Sequence, residues 1–490
     1  MKKKKILLLS DDLRFTSGIA SQSRELILST VHKYDWVQLG AAVKHPEKGK
    51  FLDFSEEAQK LTGVKDASVK IIPTNGYGTP EEVRFIMNME KPDAILHFTD
   101  PRFWGWLYQM EHEIRQQIPI MYWTIWDDLP FPYWNEPFYE SCDLLMGISK
   151  QTTNIVKNVI RKNPKPDWAI KYVPHGVNHK VYFPIEDASG NQSLAKFRNR
   201  VIGNMPEDAF VVLFANRNIK RKNPGDVILA FKHMCSMLPP EEAAKAVLVM
   251  HTNPVDQNGT DLHAICRMIA PDTNIVFTNG ALSVEQLNYL YNLADVTINM
   301  ASNEGFGLTT CESLAAGTPI VVNVTGGLQD QCGFRKESVI PKEPVANGRK
   351  FDVVPGDLVQ VEDMNENWGS NHDGRYQYHG KWVKPVFPSN RSMQGSVQTP
   401  YIFDDRCRYE DAGLALLHFQ KMTPEERKSC GAAGREYIMG EGGLNVDNMC
   451  SKAIESIDTC LENFTPRKRF DIFKPEETDI PVGTSGFQPI

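Results

Sequence analysis

Short apolar runs of strand length alternate with amphipathic stretches along this chain, in two successive series. "KILLLS" leads into a helical pattern from Ala20 to Val31, "DAILHF" leads into another, and "IPIMYWTI" and "DLLMGIS" follow. After a polar interval, "AFVVLFAN" precedes a helical stretch near Val227 to Met237, and "AVLVMHT", "NIVFTN", "DVTINM" and "TPIVVNV" supply further strands. Runs that are apolar throughout suit strands buried on both faces, and their alternation with helices suits parallel sheets covered on each side. The expected class is α/β, with two Rossmann-like, doubly wound domains facing a cleft. A length of 490 residues agrees, since single cores stop growing near ~250 to 300 residues.

The seam is expected at 184–206, where "FPIEDASGNQSLAKFRNRVIGNMP" is polar and breaks the rhythm. That assigns 1–183 to the first domain, 184–206 to an inter-domain linker and 207–445 to the second domain. From about 344 to 407 the chain is rich in Gly, Pro, Asn and aromatics, which reads as an insertion, either a functional flap or a surface hairpin. Residues 446–490 are expected to form a helix that returns to the first domain, then a charged, Pro-rich tail.

Composition removes several function classes. No apolar run approaches the ~18 residues that cross a bilayer, so no membrane span is expected. The start "MKKKKILLLSDD" imitates a signal peptide, but its apolar run stops at Leu9 and two aspartates follow, so it reads as a buried strand. Nine cysteines without a C-x-x-C pair fit reduced thiols in a cytoplasm rather than a disulfide framework or a zinc site. A formal charge of -7 argues against a generally basic nucleic-acid binder.

Two loops carry the chemistry. In "NEGFGLTTCESLAAGTPIVV" the strand "DVTINM" runs into a glycine loop and then a helix from Leu308 to Ala316. Glu304 therefore stands at the carboxyl end of a strand and Glu312 about one turn into the helix. Ligands bind at that edge of open α/β sheets, and the free amides of Gly305 to Thr309 at a helix start favour a phosphate. Carboxylates beside an anion site need another task, and hydrogen bonding to sugar hydroxyls at either end of a diphosphate is the obvious one. The plainer reading is a capping box between Thr309 and Glu312 around a tight turn. The second loop, "NRNIKRKNP", follows the second domain's first strand and brings Arg217 and Lys222 to the same edge. A guanidinium and an ammonium there suit a departing diphosphate on which charge grows; the plainer reading is a solvated basic turn.

With these residues in hand, the chain resembles the retaining GT-B glycosyltransferases of family 4 (glycosyl transferases group 1), relatives of sucrose and bacterial glycogen synthases. The likeness rests on "EGFGLTTCE", the Arg217 and Lys222 spacing, "VPHGVN" (Val173 to Asn178) and "TGGLQD" (Thr325 to Asp330), and is strongest from Lys171 to Asp330. It implies an acceptor domain first and a nucleotide-sugar domain second. It further implies that Arg217 and Lys222 bind the donor diphosphate, that Glu304 with Gly305, Phe306, Gly307 and Leu308 holds the donor sugar, and that Glu312 holds the ribose. Asn279 in "FTNGALS" would border the base, and Gly18 in "FTSGIASQSREL" would match the glycine loop near the phosphates. Net retention needs no protein nucleophile. No two aspartates stand two apart, so no D-x-D metal site is read and no metal or other cofactor is expected.

The chain departs from the family where a first-domain histidine is usual. "YWTIWDDLP" offers Trp126 at the comparable place, followed by Asp127, and His97 ends an earlier strand, so these three are the acceptor-site candidates. Five of the nine tryptophans, Trp104, Trp106, Trp123, Trp126 and Trp134, fall in this part of the first domain, where they could stack on a sugar or a base or simply fill the core. The expected activity is hexosyl or pentosyl transfer from a nucleotide-diphosphate sugar to a hydroxyl of a glycan or small molecule. "TGGLQDQ" and the insertion are also similar to viral relatives, which keeps open a phage-type enzyme acting on a hydroxymethylated DNA base. A non-catalytic nucleotide-sugar binder or a sugar-nucleotide epimerase is the alternative of another class.

Overall fold

The computed structural model describes residues 2–185, 191–278, 280–336, 356–364 and 378–468. Eight strands form the first sheet: β1 (Lys4–Asp11), β2 (Tyr34–Ala42), β3 (Leu52–Asp53), β4 (Val69–Asn75), β5 (Ala94–Phe98), β6 (Ile120–Thr124), β7 (Leu144–Gly147) and β8 (Ile170–Tyr172). Their spatial order is β3-β4-β2-β1-β5-β6-β7-β8, and every neighbouring pair is parallel except the short β3 against β4. β1 shows why: Ile6 to Ser10 are all buried, as a strand covered on both faces requires. The chain order reverses between β1 and β5, which lie side by side with Ile6 opposite Ala94 and Ser10 opposite Phe98. After β1 the helix Gly18–Thr30 is started by Ser17, whose Oγ accepts from the Ala20 amide at 3.0 Å.

The second sheet contains β9 (Phe210–Ala215), β10 (Ala246–His251), β11 (Ile275–Thr278), β12 (Val296–Asn299), β13 (Ile320–Asn323) and β14 (Val383–Val386). It is parallel throughout, in the order β11-β10-β9-β12-β13-β14, with its reversal between β9 and β12. A hairpin, β15 (Asn390–Ser396) with β16 (Thr399–Arg406), stands apart from both sheets.

Two segments differ from the reading of the sequence, and a third, the closing helix, agrees with it. Residues 192–202, expected within a linker, form a helix started by Asn191. Its Phe197 and Ile202 are buried in one cluster with Val211, Leu213 and Val247, so the helix belongs to the second domain. The stretch 344–407 is not simply inserted, because its residues 383–386 complete the second sheet beside β13; within it, 344–355 and 365–377 lie outside the described residues. The helix Val446–Asn463 lies on the helix Gly18–Thr30, and the Tyr34 hydroxyl donates to Asp458 at 2.7 Å. Among the described residues no helix is long and apolar enough to cross a membrane.

Candidate active site

The two chain reversals leave gaps at the carboxyl edges of β1/β5 and β9/β12, and the loops leaving those strands line one cleft of about 1210 Å³. Gly18 lies on one wall; Arg217, Lys222, Glu304 and Gly305 to Leu308 lie on the facing one. A Cβ on Gly18 would stand 3.3 Å from Leu308 Cδ1, so the two domains meet here with no room to spare.

Lys222 and Glu304 form a buried ion pair. Burial alone would raise the Glu304 carboxyl, but Lys222 and Arg221 hold it below the ordinary glutamate value. Asn299 adds a hydrogen bond at 3.4 Å. Two glycines shape the loop around it. Gly307 has φ +89°, where a side chain would be strained and would drive into Leu328 at 2.5 Å. Gly326, in the "TGGLQD" run, has φ +47°, and its Cβ would fall 2.0 Å from the Glu304 carbonyl; the next amide, of Gly327, donates to that carbonyl at 2.9 Å. That run also fastens the domains together, since Asp330 accepts from the Lys150 amide at 3.0 Å and the Tyr172 hydroxyl at 2.9 Å.

Arg217 differs from Lys222. Its side chain is 64% exposed against 8%, and its partner is Asp256 at 3.4 Å. It reaches into open space at the junction with a second cavity of about 320 Å³, lined by His251, Thr278, Gly280, Tyr291 and Glu312. Glu312 does not close a capping box: the helix Leu308–Ala315 starts at Gly307 without a side-chain cap, and Glu312 accepts from the Tyr291 hydroxyl at 2.6 Å. Burial pushes the Glu312 carboxyl up to about 7. Asn279 lies outside the described residues.

On the first-domain side Trp126 and Asp127 line the cleft. Their loop is held from the helix Lys150–Val159: Gln151 donates to the Asp127 carbonyl at 2.6 Å and Thr152 to the Trp126 carbonyl at 2.8 Å. Burial raises the Asp127 carboxyl to about 6, against the opposing pull of Arg221. His97 is not on the cleft. It is fully buried, one ring nitrogen bonded to the Tyr108 hydroxyl at 2.8 Å and the other to Thr99 at 2.9 Å, and burial holds it near 3, hence neutral. Its chain position at the carboxyl end of β5 is right for the cleft, but its side chain points into the sheet's other layer beside Trp104 and Tyr122. Of the five clustered tryptophans, Trp104 and Trp123 are core and only Trp126 lines the cleft.

Arg221 and His175 are among the cleft residues that escaped the reading of the sequence. Arg221 looked like part of a solvated turn, yet it donates to the Asn303 carbonyl at 2.7 Å and faces Glu304, Asp127 and Asp128. The 3₁₀ turn Lys220–Lys222 sends three consecutive cations in three directions, so only some can reach water. His175, in "VPHGVN", lines the cleft with its ring against Trp123 at 4.7 Å and Phe306 at 5.4 Å, bridging the domains. Its place just after β8 at the seam was the available signal. Among the described residues no three His, Cys, Asp or Glu side chains are grouped to hold a metal.

The family description "glycosyl transferases group 1" matches residues 195–344. Curated relatives include a D-inositol 3-phosphate glycosyltransferase of Stackebrandtia nassauensis, 27% identical over 41% of this chain and 44% of that protein. A mannosylfructose-phosphate synthase of Agrobacterium fabrum is 26% identical over 39% of each chain. The alignments thus span about two fifths of the relatives' length. Among solved structures, HepE of Anabaena in complex with UDP and glucose superposes with a TM-score of 0.59 at 12% identity, covering 93% of this chain and 100% of that one. The sucrose-phosphate synthase of Thermosynechococcus elongatus gives 0.60 at 14%, over 94% and 100%. With the match holding Glu304, Lys222 and the glycine loop, and with two parallel sheets facing one cleft, residues 195–344 carry a glycosyl transferases group 1 domain and the chain has the GT-B fold.

Proposed function

We propose that the chain is a retaining glycosyltransferase that moves a hexose or pentose from a nucleotide-diphosphate sugar to a hydroxyl acceptor. The observation that carries this reading is the convergence, in one cleft, of an exposed guanidinium, a buried Lys–Glu pair and a glycine-rich helix start. Arg217 and Lys222 receive the negative charge that grows on the diphosphate as the sugar leaves; Lys222, held by Glu304, is fixed in advance, whereas Arg217 reaches in from open space. Glu304 and the amides of Gly305 to Leu308 hold the sugar. Glu312, at the mouth of the smaller cavity, accepts from the ribose hydroxyls in place of Tyr291. The sugar passes through an oxocarbenium-like state, the acceptor attacks from the leaving-group face, and the departing phosphate takes the acceptor's proton. The two cations do the work a divalent ion would otherwise do.

The acceptor is a glycan or small molecule rather than a DNA base. On the acceptor side of the cleft Arg102 is already paired with Asp100, which leaves it unable to neutralise a phosphodiester backbone. Nine cysteines without a partner support a reducing compartment, and we place the enzyme in the cytoplasm on that ground.

The test is donor hydrolysis. The protein is incubated with UDP-, GDP- and ADP-sugars in the presence of chelator, beginning with UDP-glucose because UDP and glucose occupy the Anabaena structure, and released nucleoside diphosphate is measured. Release from one donor, abolished in Arg217→Ala, is expected. Tight donor binding with no release, even with acceptors added, would reduce the protein to a binder.

A further inference from the structure

The hairpin β15–β16 belongs to neither sheet, yet it is fastened to both domains. Toward the second domain, Asn323 donates to the Asp405 carbonyl at 2.9 Å, and Asn303, the neighbour of Glu304, donates to the Phe403 carbonyl at 2.7 Å. Toward the first domain, the Phe403 amide donates to the Leu129 carbonyl at 2.7 Å and the Tyr401 hydroxyl to the Phe131 carbonyl at 3.1 Å. Tyr401 also packs edge-on against Trp134 at 4.3 Å, and Arg102 donates to Thr399 and, at 3.2 Å, to the Gln398 carbonyl. Side chains alternate along a strand. Tyr401 and Phe403 are therefore spent on anchorage, while Ile402, Asp404 and Arg406 of the same strand, with Gln394 of its partner, line the cleft.

At about 1210 Å³ the cleft exceeds the ~300–1,000 Å³ of an ordinary single-ligand pocket, so there is room beyond the donor. The part away from the Lys222 and Glu304 pair is bounded by the hairpin, Trp126 and the turn Asp100–Arg102. Its charges are balanced. Arg102 is paired with Asp100 and lies over the Trp126 ring at 5.3 Å, while Arg406 has Asp404 at 3.7 Å and Asp226 at 3.9 Å. Among the described residues of this part, each cation carries its own carboxylate, and burial raises the Asp127 and Asp128 carboxyls, which add no cation. The surface thus offers an aromatic face and hydrogen-bonding groups but no spare positive charge.

We propose that this hairpin is the specificity wall of the acceptor subsite, and that the subsite takes an uncharged hydroxylated ring, a sugar or polyol, rather than a phosphorylated one. The ring would lie against Trp126 with its hydroxyls on Gln394 and Asp404, which are themselves 2.8 Å apart. This rests on the transferase reading above, and it sets the chain apart from the two curated relatives named here, whose names carry phosphorylated compounds.

The experiment compares pairs of probe acceptors that differ only in a phosphate, glucose against glucose 6-phosphate and myo-inositol against inositol 3-phosphate. Nucleotide release with each probe is divided by release without it. The expected result is stimulation by an uncharged member that exceeds its phosphorylated partner by about tenfold or more, since a phosphate would be desolvated there with no spare cation to pair with. In Gln394→Ala, and independently in Asp404→Asn, the same ratio falls about fivefold through loss of one hydrogen bond. Gln394 is exposed, so its variant folds whatever becomes of Asp404. Stimulation confined to phosphorylated probes, stimulation by no uncharged probe, or an unchanged ratio in both variants would overturn the proposal. Release without acceptor reads the transferase by itself, so a failure at the hairpin is separable; no release from any donor would overturn both.

Discussion

Lys222 and Glu304 stand 82 residues apart in the chain and share one buried ion pair, whereas Arg217 reaches open space from the same loop as Lys222. Substitution separates their roles. Lys222→Met leaves the Glu304 carboxylate buried without its partner and is expected to cost about 3–5 kcal/mol of stability. Arg217→Ala is expected to change stability by less than about 0.5 kcal/mol, yet to lower donor turnover by about 10²–10³-fold. Denaturant melts beside nucleotide-release rates check the contrast, and equal stability losses in the two variants would contradict the assignment. Glu312 makes a pH prediction. Its carboxyl is raised by burial from 4.5 to about 7, so the folded chain holds a proton that the unfolded chain releases. Its contribution to stability is complete below about 4.5 and is lost as pH rises through about 7. A ribose hydroxyl is better accepted by the ionised form, so the donor KM should fall as pH rises through about 7, and Glu312→Gln should flatten that change. An unaltered KM profile in the Gln variant would remove Glu312 from the donor site. The residue types here were legible because glycine, Arg-x-x-x-x-Lys and paired glutamates each have a local reason to stand at a strand end. His97 misled for the converse reason: a strand end says which edge a residue occupies but not which layer its side chain enters, and this one enters the layer of Tyr108 and Trp104.

Among the elements, inner strands such as β5, β9 and β13 were the most legible because each is an almost wholly apolar, buried run. The helix 192–202 was not, since its sequence is mostly polar and only Leu194, Phe197 and Ile202 are turned inward. Phe197→Ala is expected to destabilise the protein by about 3–5 kcal/mol through the cavity it leaves. Denaturant unfolding measures this, and a loss typical of an exposed linker position, under about 0.5 kcal/mol, would return the segment to linker status. The hairpin β15–β16 is illegible for a different reason. Its strands alternate anchorage with cleft lining, so neither face is apolar enough to announce a core.

For the whole molecule, the chain crosses back at its end. The helix Val446–Asn463 buries Met449, Cys450, Ala453, Ile457 and Cys460 in a cluster that also holds Leu26, Tyr34 and Trp36 of the first domain and Leu314 of the second. A chain ended after residue 445 would expose that face, and it is expected to be recovered as aggregate in a sedimentation assay; a soluble, monomeric product would show that the first domain's core closes without it. The run of buried strands, the glycines at positive φ and the cations at a strand's carboxyl end follow from the sequence by itself, because each is decided by the chain within a few residues of its own position. Which of those residues share the cleft is decided only by tertiary structure. The bond of Arg221 to the Asn303 carbonyl, the neutral core setting of His97, the seat of Glu312 against Tyr291 and the bridge made by the hairpin all depend on groups distant in the chain. Their charge and exposure are set by partners that local propensity does not encode.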